Sequence, residues 1–345
     1  MRQDWWKVAL LGLCLSGAVI AQSVSPAPEY EDLFRRERGW TGADGTYSYP
    51  YGEGTLWGFS DTFFGQVVDG ARQEPFRFVN NSLVLQRPGQ LEFLKAPVFV
   101  PPGGKSWFWL FDGAAEGELL LGEFDGHGDG GFGFRQVGLW YARYRLDSGG
   151  ARVEELKRLP HFVSDPKGLI TFGPAILRTP AWDYLYGVHD KDGGRHSVLA
   201  RAPRGQMGVP GVWRFFDGTG WVREMTRVAP LFSGAAMEAS VHPTRDGGYL
   251  YLGTDAGGMG PRIVSRYAAS PEGPWSEPTL VAETPEHRGE VFSYNAKAHP
   301  ELTRDGRILV SYNVNTSDLA KVVAEADIYR PRFLWWTPPQ SGWLP

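Results

Sequence analysis

Along most of the chain, apolar residues come in runs of four to eight, rich in aromatic and β-branched side chains. Each run stops at a Gly, Asp or Pro, as in Thr55-Leu56-Trp57-Gly58-Phe59 after Gly52-Glu53-Gly54. This is the pattern of short strands joined by tight turns. Further turn signals stand at Asp112-Gly113, Asp192-Gly193-Gly194, Asp217-Gly218, Asp246-Gly247-Gly248 and Asp305-Gly306. Asp-Gly pairs tolerate the positive backbone dihedrals that hairpins require. Helical periodicity is scarce, with Leu319 to Ala326 the best stretch. The chain is therefore expected to be all-β.

The hairpins recur. Ala239-Ser240-Val241-His242-Pro243 and Ala298-His299-Pro300-Glu301 both run on through Thr-Arg-Asp-Gly into an apolar strand. Five such units start near Trp40, Lys105, Leu169, Met237 and Phe292, a spacing that fits four-stranded propeller blades with insertions. A β-sandwich would explain the turns but not the similar openings. The expectation is a single five-bladed β-propeller over residues 38–345, preceded by a lead-in segment, 22–37. The aromatic strand Pro331 to Trp336 is expected to complete the first blade's sheet and so remove an open edge.

Composition narrows the class. The 345 residues include 45 Gly, 26 Pro and 14 Trp, with 42% hydrophobic and 21% charged residues and a net charge of -4. The Gly and Pro load excludes long coiled coils, and the charge argues against a nucleic-acid partner. Arg2 and Lys7 followed by the apolar run Val8 to Ala21 read as a signal peptide, residues 1–21, cut after Ala21. That reading implies a secreted or periplasmic protein with no membrane span after cleavage, and a monomer is expected. The only cysteine, Cys14, lies inside that run, so the processed chain has no disulfide, thiolate zinc site or cysteine nucleophile.

In a propeller the innermost strands surround a central funnel, so polar residues that open the units are the candidates for chemistry. Asp44, in Gly42-Ala43-Asp44-Gly45, and Asp61, in Phe59-Ser60-Asp61-Thr62-Phe63, are carboxylates in strongly apolar surroundings. Such groups lose solvation, and two of them converging on one cleft can divide acid and base work, as glycoside hydrolysis requires. Glu238 opens the fourth unit as a third carboxylate. Asn81 is a candidate for binding sugar hydroxyls, and Trp40 for stacking on a sugar ring. In the fifth unit, alternation puts Asn295, Lys297 and His299 on one strand face. An Asp44 in a plain Asp-Gly turn, turn-forming asparagines and a solvated loop Glu238 are the structural alternatives. No cofactor is required for this chemistry. Asp125-Gly126-His127-Gly128-Asp129 has the composition of a calcium loop without EF-hand spacing, and a structural calcium stays open.

Three segments bring a family to mind. Trp40-Thr41-Gly42-Ala43-Asp44-Gly45, Thr55 to Gly65 with its Ser60-Asp61-Thr62-Phe63, and Asn80-Asn81-Ser82 resemble secreted bacterial propellers long catalogued as domains of unknown function. Tyr294-Asn295-Ala296-Lys297-Ala298-His299 resembles their last blade. Some of those relatives are endo-D-arabinanases, so the resemblance implies a glycoside hydrolase of five-bladed fold with Asp44 and Asp61 as its paired carboxylates. The partner would be a polysaccharide or oligosaccharide, of arabinan type by the same resemblance. Ser60 stands where those enzymes usually have Gly, and aromatic insertions surround Phe63 and Phe64. A binding or scaffolding propeller without turnover is the rival class. It would keep the aromatics and amides but need no converging carboxylates.

Overall fold

A computed structural model describes residues 23–114, 117–128, 132–148, 150–166, 168–255, 257–339, 343 and 345. The expected signal peptide lies outside the described residues, as does Asp129 of the Asp125 loop. Strands dominate, and the apolar runs of the sequence are their buried stretches.

Five antiparallel sheets share one plan. Sheet I holds Tyr47–Tyr51, Gly54–Phe59, Ser82–Arg87 and Gln90–Phe93, in that order. Sheet II holds Trp107–Ala114, Glu118–Gly126, Phe134–Asp147 and Gly150–Leu159. Sheet III is built on Gly168–Arg178, Trp182–Lys191 and Gly194–Pro203, with short strands added at both edges. Sheet IV holds Ala239–Pro243, Tyr249–Thr254, Arg262–Ala268 and Thr279–Glu283. Sheet V holds Val291–Arg304, Arg307–Thr316, Arg332–Thr337 and Ser23–Pro26.

The leading strands of these sheets pack on one another in a closed cycle. Tyr47–Tyr51 touches Trp107–Ala114, which touches Gly168–Arg178, and so on through Ala239–Pro243 and Val291–Arg304 back to Tyr47–Tyr51. A cycle of sheets around their inner strands is a β-propeller. A sixth, three-stranded sheet of Arg38–Ala43, Thr62–Val68 and Ala71–Val79 stands outside the cycle. It takes in the insertion between the second and third strands of sheet I.

Closure differs from the sequence expectation. Arg332–Thr337 does not join sheet I. It pairs with Arg307–Thr316 in sheet V, Val310 opposite Leu334, and on its other side with Ser23–Pro26. The segment read as a lead-in therefore supplies the outermost strand of the last sheet, and then the short helix Pro28–Phe34. Pro28 at the first helical turn is pre-set for that conformation. Phe34 is fully buried against Trp40, Trp57, Phe59 and Phe333, so this helix seals the seam between sheets V and I with aromatic packing. Leu319–Ala324 is a helix as expected, capped by Asp318, whose Oδ1 accepts from Ala320 N and Lys321 N. Among the described residues no helix is long and apolar enough to cross a membrane.

Candidate active site

Asp44 and Asp61 lie side by side because their backbones are tied together. Asp44 N–H donates to Asp61 O at 3.1 Å, and Ser60 N–H returns a bond to Asp44 O at 2.9 Å. Gly45 makes this approach feasible: it has φ +85°, and a Cβ there would sit 2.9 Å from Ser60 N.

Each carboxylate has its own donors. Tyr294 and Tyr329 donate their hydroxyls to Asp44 Oδ2 at 2.8 and 3.0 Å, while Asp44 Oδ1 is buried without a partner among the described residues. Burial, then the charges of Asp61 and Glu238, push the Asp44 carboxyl well above the usual carboxylate range, against the two tyrosine bonds. Asp61 Oδ1 accepts from Trp109 Nε1 at 2.7 Å and Asn80 Nδ2 at 2.9 Å. Burial still raises its carboxyl to about 6, the two hydrogen bonds holding it back only in part.

Glu238 enters from sheet IV. Its Oε1 accepts from Asn295 Nδ2 at 3.1 Å and its Oε2 from Lys297 Nζ at 2.6 Å. Lys297 is buried, donates also to Gly45 O and lies over the Tyr47 ring. Burial lowers its ammonium, and the Glu238 charge opposes that shift. Lys297 thus links the third carboxylate to the backbone of the residue following Asp44. Beneath it, the inner strands enclose a cavity of about 320 Å³ lined by Asp112, His242, Lys297 and Glu301 among others. Asp112 is raised to about 7 there by burial, although Gly113 N and Ile176 N both donate to it.

Local strain concentrates at the same place. Six described non-glycine residues have positive φ. Asp69, Asp192 and Asp305 are in Asp-Gly turns, whereas Thr46, Asn295 and Tyr329 lie beside the carboxylates. Tyr329 is held in place by two buried guanidinium groups. Arg72 donates to the carbonyls of Val322, Ala326, Ile328 and Thr41, and Arg330 to those of Thr41 and Arg36.

The structure brings together Asp44, Asp61, Glu238, Asn295 and Lys297. The other three predicted residues are differently placed. Trp40 is 2% exposed and packs on Phe34, Phe59 and Phe93, so it offers no face to a sugar. Asn81 is a buried clamp whose amide donates to Phe99 O and Phe108 O and accepts from Val98 N and Phe99 N. His299 lines the channel cavity, but its ring nitrogens are taken by Ser48 Oγ at 2.5 Å and Ser311 Oγ at 2.8 Å. Burial, then the Lys297 charge, lower that imidazole to about 3. The residues that reasoning from sequence missed are Asn80, Trp109, Tyr294 and Tyr329. Asn80 and Asn81 lie in the link between the strands Ala71–Val79 and Ser82–Arg87, where strand alternation gives no signal for which amide meets Asp61.

Residues 28–337 match the protein family described as "Domain of unknown function (DUF5005)". The chain belongs to this family. Curated relatives are Notoamide biosynthesis cluster protein J' of Aspergillus versicolor, 32% identical over 152 residues, and protein J of Aspergillus sp. (strain MF297-2), 30% identical over 153. Each alignment covers 42% of this chain, and the chain spans 41% and 40% of the lengths of those relatives. Among solved structures, a "putative hydrolase" from Bacteroides ovatus ATCC 8483 shares the DUF5005 chain's fold. It superimposes with a TM-score of 0.77 at 20% identity, covering 93% of this chain and 91% of that one. The α-L-arabinofuranosidase PaAbf62A from Podospora anserina is more distant, with a TM-score of 0.45 at 15% identity over 88% of this chain and 92% of that one.

Proposed function

We propose that this DUF5005 chain is a five-bladed propeller that hydrolyses a glycosidic bond in a polysaccharide. The cycle of five inner strands supports the blade number. The observation that carries the chemistry is the convergence of three carboxylates in different environments. Asp44, half-buried, accepts from two tyrosine hydroxyls, Asp61 is raised to about 6 beside Trp109 and Asn80, and Glu238 is paired with buried Lys297. Carboxyl groups pushed apart in proton affinity divide acid and base roles. Asp61 donates its proton to the glycosidic oxygen as the bond from that oxygen to the anomeric carbon breaks, and the water that adds at that carbon gives up a proton to Glu238. Glu238 serves as the carboxylate on the opposite side, and Asp44 holds the protonated form next to Asp61. Asn295 and Lys297 orient Glu238 and the sugar. The resemblance of the first-blade segments to endo-D-arabinanases makes arabinan-type furanosides the first substrates to try. The apolar run at residues 8–21 would send the protein across a membrane for cleavage after Ala21.

The test is a panel of polysaccharides, debranched arabinan included, assayed for released reducing ends. Wild type is expected to release product from at least one, and Asp61→Asn at least 100-fold less. Equal product from both removes Asp61 from the reaction. Binding without product on every glycan supports a non-catalytic carbohydrate-binding propeller.

A further inference from the structure

Asp61 and Asp44 are connected a second time, along the rim, by a run of aromatic rings. Trp109, which donates to Asp61, lies 4.7 Å from Phe134. Phe134 is 6.5 Å from Phe132, and Phe132 is 5.8 Å from Phe292. Phe292 is 5.5 Å from Tyr294, whose hydroxyl donates to Asp44. Trp109 and Phe134 belong to sheet II, while Phe292 and Tyr294 belong to sheet V. These sheets are not neighbours in the cycle, so the run crosses the face of the propeller on which the carboxylates sit.

One of its members, Phe132, and its neighbour Met259 expose apolar surface in a way that the core does not require. Phe132 is 50% exposed, and Met259, bridged to Tyr294, is 56% exposed. A large apolar side chain left in water beside a cleft marks a surface that something else covers. Sugar rings suit it, because a pyranose or furanose presents an apolar C–H face to an aromatic ring and hydroxyls to the amides and carboxylates beyond. The charges also select among sugars. The run ends at the carboxylates of Asp61 and Asp44, Glu238 lies near enough to act on Asp44, and the Lys297 ammonium is already bonded to Glu238, Gly45 O and Asn295 O. A uronic acid would bring a further negative charge to these three carboxylates, with Lys297 already engaged.

We propose that Phe132 and Phe292 form a stacking subsite for an uncharged sugar ring adjoining the bond held at Asp44 and Asp61. The ligand class rests on the hydrolase reading above.

Full-length protein is titrated with arabinotriose, galactotriose, cellotriose and trigalacturonic acid, followed by tryptophan fluorescence, with reducing-end release measured on the same panel. Wild type is expected to bind at least one neutral trisaccharide and to bind it more tightly than trigalacturonic acid. Phe132→Ala and Phe292→Ala should each weaken that binding about tenfold, and raise KM in preference to lowering kcat where product forms. Phe292→Tyr should restore it, which separates stacking from loss of fold. Unchanged binding in both alanine variants, tighter binding of trigalacturonic acid, or no binding of any probe by wild type overturns the subsite. If the alanine variants lose binding but no glycan is cleaved, the subsite stands and the hydrolase reading falls. Release of product with KM unmoved by either substitution leaves the hydrolase and removes the subsite.

Discussion

Asp44 N–H donates to the backbone carbonyl of Asp61 at 3.1 Å, so the two carboxylates are fixed to each other by main chain rather than by side-chain packing. The turn that permits this is Gly45, in the left-handed region and in contact with Ser60. Gly45→Ala should therefore strain the turn and lower stability by about 1–3 kcal/mol in urea unfolding. It should also cut turnover, because Lys297 donates to the Gly45 carbonyl. Full stability in the alanine variant would show that the pairing does not depend on this turn.

Asp61 predicts a pH dependence with a definite sign. Its carboxyl moves from the ordinary 3.8 to about 6 on folding. Between those values the folded protein holds a proton that the unfolded chain has lost, so this group's contribution to stability declines as pH rises from 3.8 to about 6. Asn carries no proton to lose. Wild type and Asp61→Asn should melt alike near pH 4, and the variant should be the more stable above pH 6, by roughly 1–3 kcal/mol. Calorimetry at both pH values checks this; a difference that does not change with pH contradicts it.

Arg72 is a buried cation whose described hydrogen-bond partners are carbonyls, and these belong mostly to the segment leading to Tyr329. A Cβ on Gly42 would collide with both Tyr329 O and the Arg72 guanidinium, so the packing here leaves no slack. Arg72→Met leaves those carbonyls unpaired and should cost about 3 kcal/mol or more. Hydrogen exchange should accelerate over residues 322–330 beyond the change in other segments. Uniform acceleration across the chain would mean that Arg72 supports the fold in general and not this segment.

Asn81 makes four hydrogen bonds to backbone groups of residues 98, 99 and 108. Asn81→Ala should be destabilising by about 2–4 kcal/mol in urea unfolding while leaving glycan binding unaltered. Weakened binding at full stability would return Asn81 to the cleft.

The fold was legible because strands and turns are written locally: aromatic and β-branched runs, then Asp-Gly. Closure was not, since nothing local distinguishes an outer strand of sheet I from one of sheet V, and both partners of Arg332–Thr337 lie in sheet V. Asp44, Asp61 and Glu238 stood out as carboxylates among apolar residues. Their donors did not. Tyr294 and Asn295 both reach carboxylates of the site although they are adjacent, because a bulge between Tyr294 and Lys297 and a positive φ at Asn295 break the alternation. Tyr329 arrives from a distant segment through the Arg72 and Arg330 contacts. Asn81 and His299, polar residues in an apolar strand context, proved to satisfy buried backbone and serine groups, which look the same in sequence as ligand-binding ones.

The central claim is that Asp44 and Asp61 form one partly buried pair in which the Asp61 charge raises the Asp44 carboxyl. The direct measurement is a pH titration of the aspartate carboxyl carbons by NMR, in wild type and in Asp61→Asn. The account predicts an Asp61 midpoint near 6, an Asp44 midpoint well above the ordinary range, and a fall of the Asp44 midpoint when Asp61 loses its charge. Two ordinary midpoints near 4, or an Asp44 midpoint indifferent to Asp61→Asn, would contradict it.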